Sequence, residues 1–207
     1  AVVKANAYGH GLLRAARAVA DVADGFALLD LEEAVRLRDA GIRQPILLLE
    51  GFFEAADLAV CAAHDLTLVV HRLEQLQMLR RASLPVRLPI FLKLNSGMNR
   101  LGLTAAELPA VRRELAASPA VSAVTLMTHF AEADGDGGEA CITWQLERFA
   151  GMLADWPEAA TWPVSLANSA AILRYPQTAR DWVRPGIMLY GGSPFADQDA
   201  ESLGLKP

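Results

Sequence analysis

Five short apolar runs in this chain end in reactive side chains. Lys4 follows Ala1-Val2-Val3, Lys93 and Asn95 close the stretch 87–95 with Arg100 in the loop beyond, and His129 ends 121–129. Asn168 and Ser169 end 162–168, and Arg184 closes 181–184. A lysine at the end of a buried strand is driven toward its neutral amine by desolvation and becomes a nucleophile able to form a Schiff base with an aldehyde. Position alone favours the plainer reading of Lys4 as a rim charge. The strings Asn168-Ser169-Ala170-Ala171 and Arg184-Pro185-Gly186-Ile187 offer a hydroxyl and closely approachable backbone N–H groups, which suit a phosphate. Taken singly, Ser169 reads as a helix N-cap and Gly186 as a turn residue.

These residues matter only if the chain brings the run ends together. Short β-rich runs at 1–4, 25–29, 45–50, 65–70, 87–95, 121–129, 162–168 and 181–184 alternate with helical periodicity at 11–23, 31–40, 54–64, 72–82, 105–117 and 139–156. Asp30 and Thr104 stand where N-caps are expected. Eight β/α units predict a (β/α)8 TIM-type barrel forming one domain over 1–207, whose active site lies at the C-terminal ends of the strands. The loops after strands seven and eight are the usual phosphate corner of such barrels. No GxGxxG or GxxxxGK[ST] loop follows a strand, which argues against dinucleotide and P-loop folds. Strand-one lysine and phosphate corner together fit pyridoxal 5′-phosphate better than a sugar phosphate.

Composition sets outer limits. The 207 residues are 53% hydrophobic and 21% charged, with mean hydropathy +0.22, enough to bury a sizeable core. A net charge of −5 lacks the basic excess of a nucleic-acid binder. No run is long and apolar enough for a membrane span and no signal-peptide pattern leads the chain, so a cytoplasmic protein is expected. Cys61 and Cys141 lack ligand or redox spacing and read as buried small hydrophobes; no metal site is expected, and His10, His64 and His71 read as structural or solvent-facing. Glu32, Glu33, Arg36 and Arg38 read as a solvated helix face with local ion pairs.

The segment from Ala1 to Gly11, AVVKANAYGHG, resembles the cofactor-lysine signature of alanine racemases. The resemblance continues in order through 93–102 (KLNSGMNRLG), Thr128-His129-Phe130, 167–171 (ANSAA) and 183–191 (VRPGIMLYG). It implies a pyridoxal-phosphate enzyme that interconverts L- and D-alanine, a D-alanine source for peptidoglycan, working as a homodimer with shared active sites. Lys4 would carry the cofactor and act as base on one face of the substrate Cα. Tyr8, Ser169 and the backbone of Gly186 and Ile187 would hold the phosphate, with Asn168 beside them. Arg184 would face the pyridine nitrogen with His129 next to it. A guanidinium does not surrender its proton, so that nitrogen stays largely unprotonated, which favours reprotonation at Cα over transamination. Arg100 would reach the cofactor's phenolic oxygen and the substrate carboxylate, positioned by Lys93, which is carbamylated in many members; the plainer reading of Lys93 is a buried partner of a carboxylate.

Two departures accompany the resemblance. Some relatives place a histidine at the position of Ser165, where it helps orient the opposite base. The family's C-terminal β domain, which supplies a tyrosine base across the dimer and another phosphate-binding tyrosine, is not represented. The chain reads as cut at both ends, so it is expected to have little or no racemase activity alone. The competing expectations are a non-catalytic single-domain pyridoxal-phosphate carrier, which the string Asn6-Ala7-Tyr8-Gly9-His10-Gly11 disfavours, and a basic amino-acid decarboxylase barrel, whose acidic diamine site nothing matches.

Overall fold

The computed structural model describes residues 1–206. Six parallel strands, β1 (Phe26–Leu28), β2 (Ile46–Leu48), β3 (Leu66–Val70), β4 (Leu88–Lys93), β5 (Val121–Met127) and β6 (Val164–Ser165), pair in sequence order. Parallel neighbours need a crossover, and helices α2 (Leu12–Val19), α3 (Leu31–Asp39), α4 (Asp57–Ala63), α5 (Leu73–Arg81), α6 (Leu108–Ala116) and α7 (Gly138–Leu153) supply them. The sequence-expected helices are all present, with most ends shortened. Asp30 accepts the Glu32 N–H, and Thr104 and Glu107 form a reciprocal capping box.

The expected first and eighth strands are reduced to single bridges, Val2 to Ala27 and Trp182 to Ser165, which extend the order at both edges. The Val2 N–H also donates to the Pro185 carbonyl at 2.9 Å, joining one edge to the other. Strand one stops early because the backbone turns sharply at Lys4. The result is a partial barrel of assigned strands.

Alternation along the strands sorts residues between two interiors. Leu28, Ile46, Leu48, Leu66, Leu68 and Leu92 face the helices and pack with Leu37, Leu76 and Leu79. Val2, Ala27, Leu47, Val69, Phe91 and Met127 form the inner cluster. Lys93 lies two residues past Phe91 and pairs in register with Met127, so it continues the inner row toward the strand ends. Both cysteines are free; Cys61 is buried, whereas Cys141 is only half-buried. Arg38 corrects its own expectation, because its guanidinium donates to the carbonyls of Ile42, Gln44, His64 and Asp65 instead of pairing along the helix. Among the described residues no helix is long and apolar enough to cross a membrane.

Candidate functional site

At the C-terminal ends of the strands lies a cleft of about 640 Å³, within the usual range for a small-ligand site. Lys4, Tyr8, Lys93, Arg100, His129, Asn168, Ser169, Arg184, Gly186 and Ile187 all line it, whereas the Asn95 side chain is taken up by its own loop, accepting the Gly97 and Asn99 N–H groups.

Lys4 opens α1 (Lys4–Tyr8), a single helical turn of the wrong hand for L-residues. Ala5, Asn6, Ala7 and Tyr8 have φ between +51° and +55°. A left-handed turn costs about 1–2 kcal/mol per non-glycine residue, so its surroundings must hold it. Gly9, His10 and Gly11 donate backbone N–H groups to Ala5, Ala7 and Asn6, and Asn6 Oδ1 accepts the Leu12 N–H at 2.9 Å. The turn aims Lys4 and Tyr8 into the same cleft.

Tyr8 meets the corner between the last two run ends. A Cβ on Gly186 would stand 2.5 Å from the Tyr8 hydroxyl, so only glycine permits that approach. The Gly186 N–H donates to Ser169 Oγ at 2.8 Å. Ser169 is therefore not the N-cap of α8 (Ser169–Arg174); Asn168 takes that role, its side chain accepting the Ala171 N–H. Two hydroxyls and the start of a helix thus converge on one small space.

Arg184 is buried at the cleft wall, and only neutral acceptors receive its N–H groups. Nη1 donates to Ser165 Oγ at 2.6 Å, and Nη2 reaches the carbonyls of Thr128 and Leu166 and lies 3.3 Å from His129 Nδ1. Burial pulls the guanidinium down to about 10, which still leaves it charged at neutral pH. Ser165 thus stands against Arg184, and no geometry here connects it to an opposite base.

Burial and the neighbouring cations act on His129 and Lys93 in the same direction. Burial first, then Arg184, Lys93, Arg100 and Lys4, pushes His129 down to about 3, so its imidazole is neutral. Burial, Arg184 and Arg100 bring Lys93 down to about 8 against the opposing charge of Glu50. Among the described residues Lys93 makes no ion pair with a carboxylate, which removes the plain buried-pair reading. The cleft therefore brings together four cationic side chains, Lys4, Lys93, Arg100 and Arg184, whose charges act on one another and on His129.

Glu50, Glu132 and Asp134 also line the cleft and were missed. Glu50 ends the expected strand 45–50, so the strand-end rule that selected Lys4 and Lys93 could have found it; Glu132 and Asp134 lie in a loop without such a signal. Of the three tyrosines only Tyr8 reaches the cleft. Tyr190 donates to the Val2 carbonyl and Tyr175 is buried elsewhere.

The donor set matches pyridoxal 5′-phosphate. Hydroxyls and backbone suit its phosphate, a lysine amine its aldehyde, and an obligate donor its ring nitrogen. The close approach of Tyr8 to Gly186 sets both hydroxyls and the Gly186 backbone side by side.

Comparison with known proteins gives a consistent result. A model described as alanine racemase, N-terminal domain, matches residues 1–194. The chain is 57% identical over its full length to an alanine racemase of Nitrosospira multiformis and 47% identical to a catabolic alanine racemase of Pseudomonas putida, in each case covering 57% of the relative. The solved biosynthetic alanine racemase from Pseudomonas aeruginosa superposes with a TM-score of 0.91 at 47% identity, over the whole of this chain and 56% of that one. The chain thus spans a little over half the length of the relatives it matches.

Proposed function

The chain belongs to the alanine racemase N-terminal domain family, and on that premise we propose that it is the cofactor-binding, one-base half of a pyridoxal-phosphate enzyme that interconverts L- and D-alanine. The observation that carries this reading is the meeting of Lys4, the Tyr8–Ser169–Gly186 corner and the carboxylate-free Arg184 in one cleft. Bound there, the cofactor would supply an aldehyde carbon that links amines and a ring that makes the substrate Cα–H acidic.

The residues divide the work by their chemistry. The Tyr8 and Ser169 hydroxyls, with the backbone of Gly186 and Ile187 and the α8 start at Asn168, hold the phosphate. Arg184 keeps a proton-rich, non-transferring group at the ring nitrogen, and His129, held neutral, does not add a competing acid there. Arg100 binds the substrate carboxylate. The Lys93 amine, partly neutral at physiological pH, can add carbon dioxide with loss of a proton, and the resulting carbamate places an anion among the cations that otherwise repel. Lys4 removes or returns the Cα proton on one face.

Two finer readings complete the proposal. The bridges at Val2 and Trp182 and the Val2–Pro185 hydrogen bond support eight strand positions in a closed (β/α)8 barrel, a single domain over the chain. Inversion needs a second base on the other face of Cα, and no tyrosine but Tyr8 lines the cleft. That base would come from outside these residues, in a cytoplasmic homodimer with shared sites.

The test is proton exchange in heavy water with the chain loaded with pyridoxal 5′-phosphate. D-Alanine exchanges its α-hydrogen with retention, L-alanine far more slowly, and inversion is slight. Inversion by this chain at the rate of a full-length relative would overturn the one-base division; no exchange with either enantiomer, cofactor being bound, would overturn the role of Lys4.

A further inference from the structure

Tyr190 is remote from Lys4 in sequence and adjacent to its turn in space. Its hydroxyl donates to the Val2 carbonyl at 2.8 Å across a separation of 188 residues. Its ring lies 4.9 Å from that of Tyr8 and 4.8 Å from that of His10, with the His10 ring stacked on it. Among the described residues no other side chain from beyond residue 12 hydrogen-bonds to residues 1–8.

The left-handed turn has an internal ladder that satisfies its backbone, but such a ladder does not fix the angle between the turn and the cleft. That angle is set by contacts with the rest of the fold. Tyr190 touches both ends of the problem: its hydroxyl holds the strand two residues before Lys4, and its ring fills the space between the rings that follow. It also ends the short 3-10 turn Ile187–Tyr190, which starts directly after Gly186. One rigid turn therefore links the phosphate corner to the lysine turn. Burial and the neighbouring Tyr8 push the Tyr190 phenol up to about 12, so it remains a donor across the physiological range.

We propose that Tyr190 is a positioning residue that clamps the left-handed Lys4–Tyr8 turn and so sets the approach of the Lys4 amine to the cofactor aldehyde. This rests on the reading of Lys4 as the cofactor lysine.

Two ligands separate lysine presentation from pocket integrity. Pyridoxal 5′-phosphate can bond to Lys4, whereas 4-deoxypyridoxine 5′-phosphate has the same ring and phosphate and a methyl group in place of the aldehyde. Dissociation constants for both are measured on the whole protein, wild type, Tyr190→Phe and Tyr190→Leu, alongside thermal melting. Tyr190→Phe keeps the rings and loses one hydrogen bond; it should narrow the aldehyde preference by about five- to tenfold while changing affinity for the methyl analogue less than about twofold. Tyr190→Leu should narrow it further. An unchanged preference in both variants, or an equal loss for both ligands in Tyr190→Phe, would overturn the proposal, the latter assigning Tyr190 to the fold alone. A wild type with no aldehyde preference would overturn the Lys4 reading and the clamp with it.

Discussion

Arg184 Nη1 donates to Ser165 Oγ at 2.6 Å, and both side chains are buried. Serine cannot take the proton away, so this contact orients the guanidinium without offering it a second charge state. Removing the hydroxyl leaves an N–H of a buried cation unpaired. Ser165→Ala should therefore destabilise the fold by about 1–3 kcal/mol. In urea unfolding this appears as a lower midpoint at unchanged slope, and an unshifted midpoint would show that the bond contributes nothing.

His129 makes the fold sensitive to acid. Its folded-state value is about 3 against an ordinary value of 6.5, so between those limits the unfolded chain binds the proton and the folded chain does not. Stability is fully present above pH 6.5 and is lost as pH falls toward 3. His129→Gln should flatten that part of the stability profile relative to wild type. Parallel profiles for the two proteins between these limits would contradict the assignment.

The strain in the lysine turn can be relieved at a position that buries nothing. Ala5 is exposed at φ +53°. Ala5→Gly removes the Cβ penalty and adds the chain entropy of glycine, for a net gain of about 1 kcal/mol, or roughly 2–4 °C in Tm for a chain of this size. A lower Tm would mean that the left-handed turn is not strained at this residue.

Helices and inner strands were legible because their apolar period is set by burial and their ends by local chemistry, as with Asp30 and Thr104. The turn after Lys4 was not. Ala-Asn-Ala-Tyr has no local feature that prefers the left hand beyond Asn6, and the turn's contacts with Tyr190 and Gly186 come from far along the chain. The choice of Asn168 over Ser169 as the cap of α8 has a similar origin. Both are good caps, and the register of α8 gives the cap to Asn168 while freeing the Ser169 hydroxyl for Gly186. Arg38 looked like half of an ion pair because sequence shows its acidic neighbours and not the four carbonyls that surround it.

The hydrogen bond from Val2 to Pro185 bears on the order in which the molecule assembles. Neighbouring strands such as β1 and β2 meet across about 20 residues of chain, whereas Tyr190 reaches back over 188. Closing the longer loop in one step costs about 2 kcal/mol more in chain entropy, and progressive pairing of neighbours shortens it beforehand. On that ground the contact between Val2 and Pro185 is expected to form late in folding, and the same contact brings Gly186 to Tyr8. A chain with only β1 to β6 paired would have a core but not yet the Tyr8–Gly186 corner, so a cofactor held at that corner would bind the finished molecule alone.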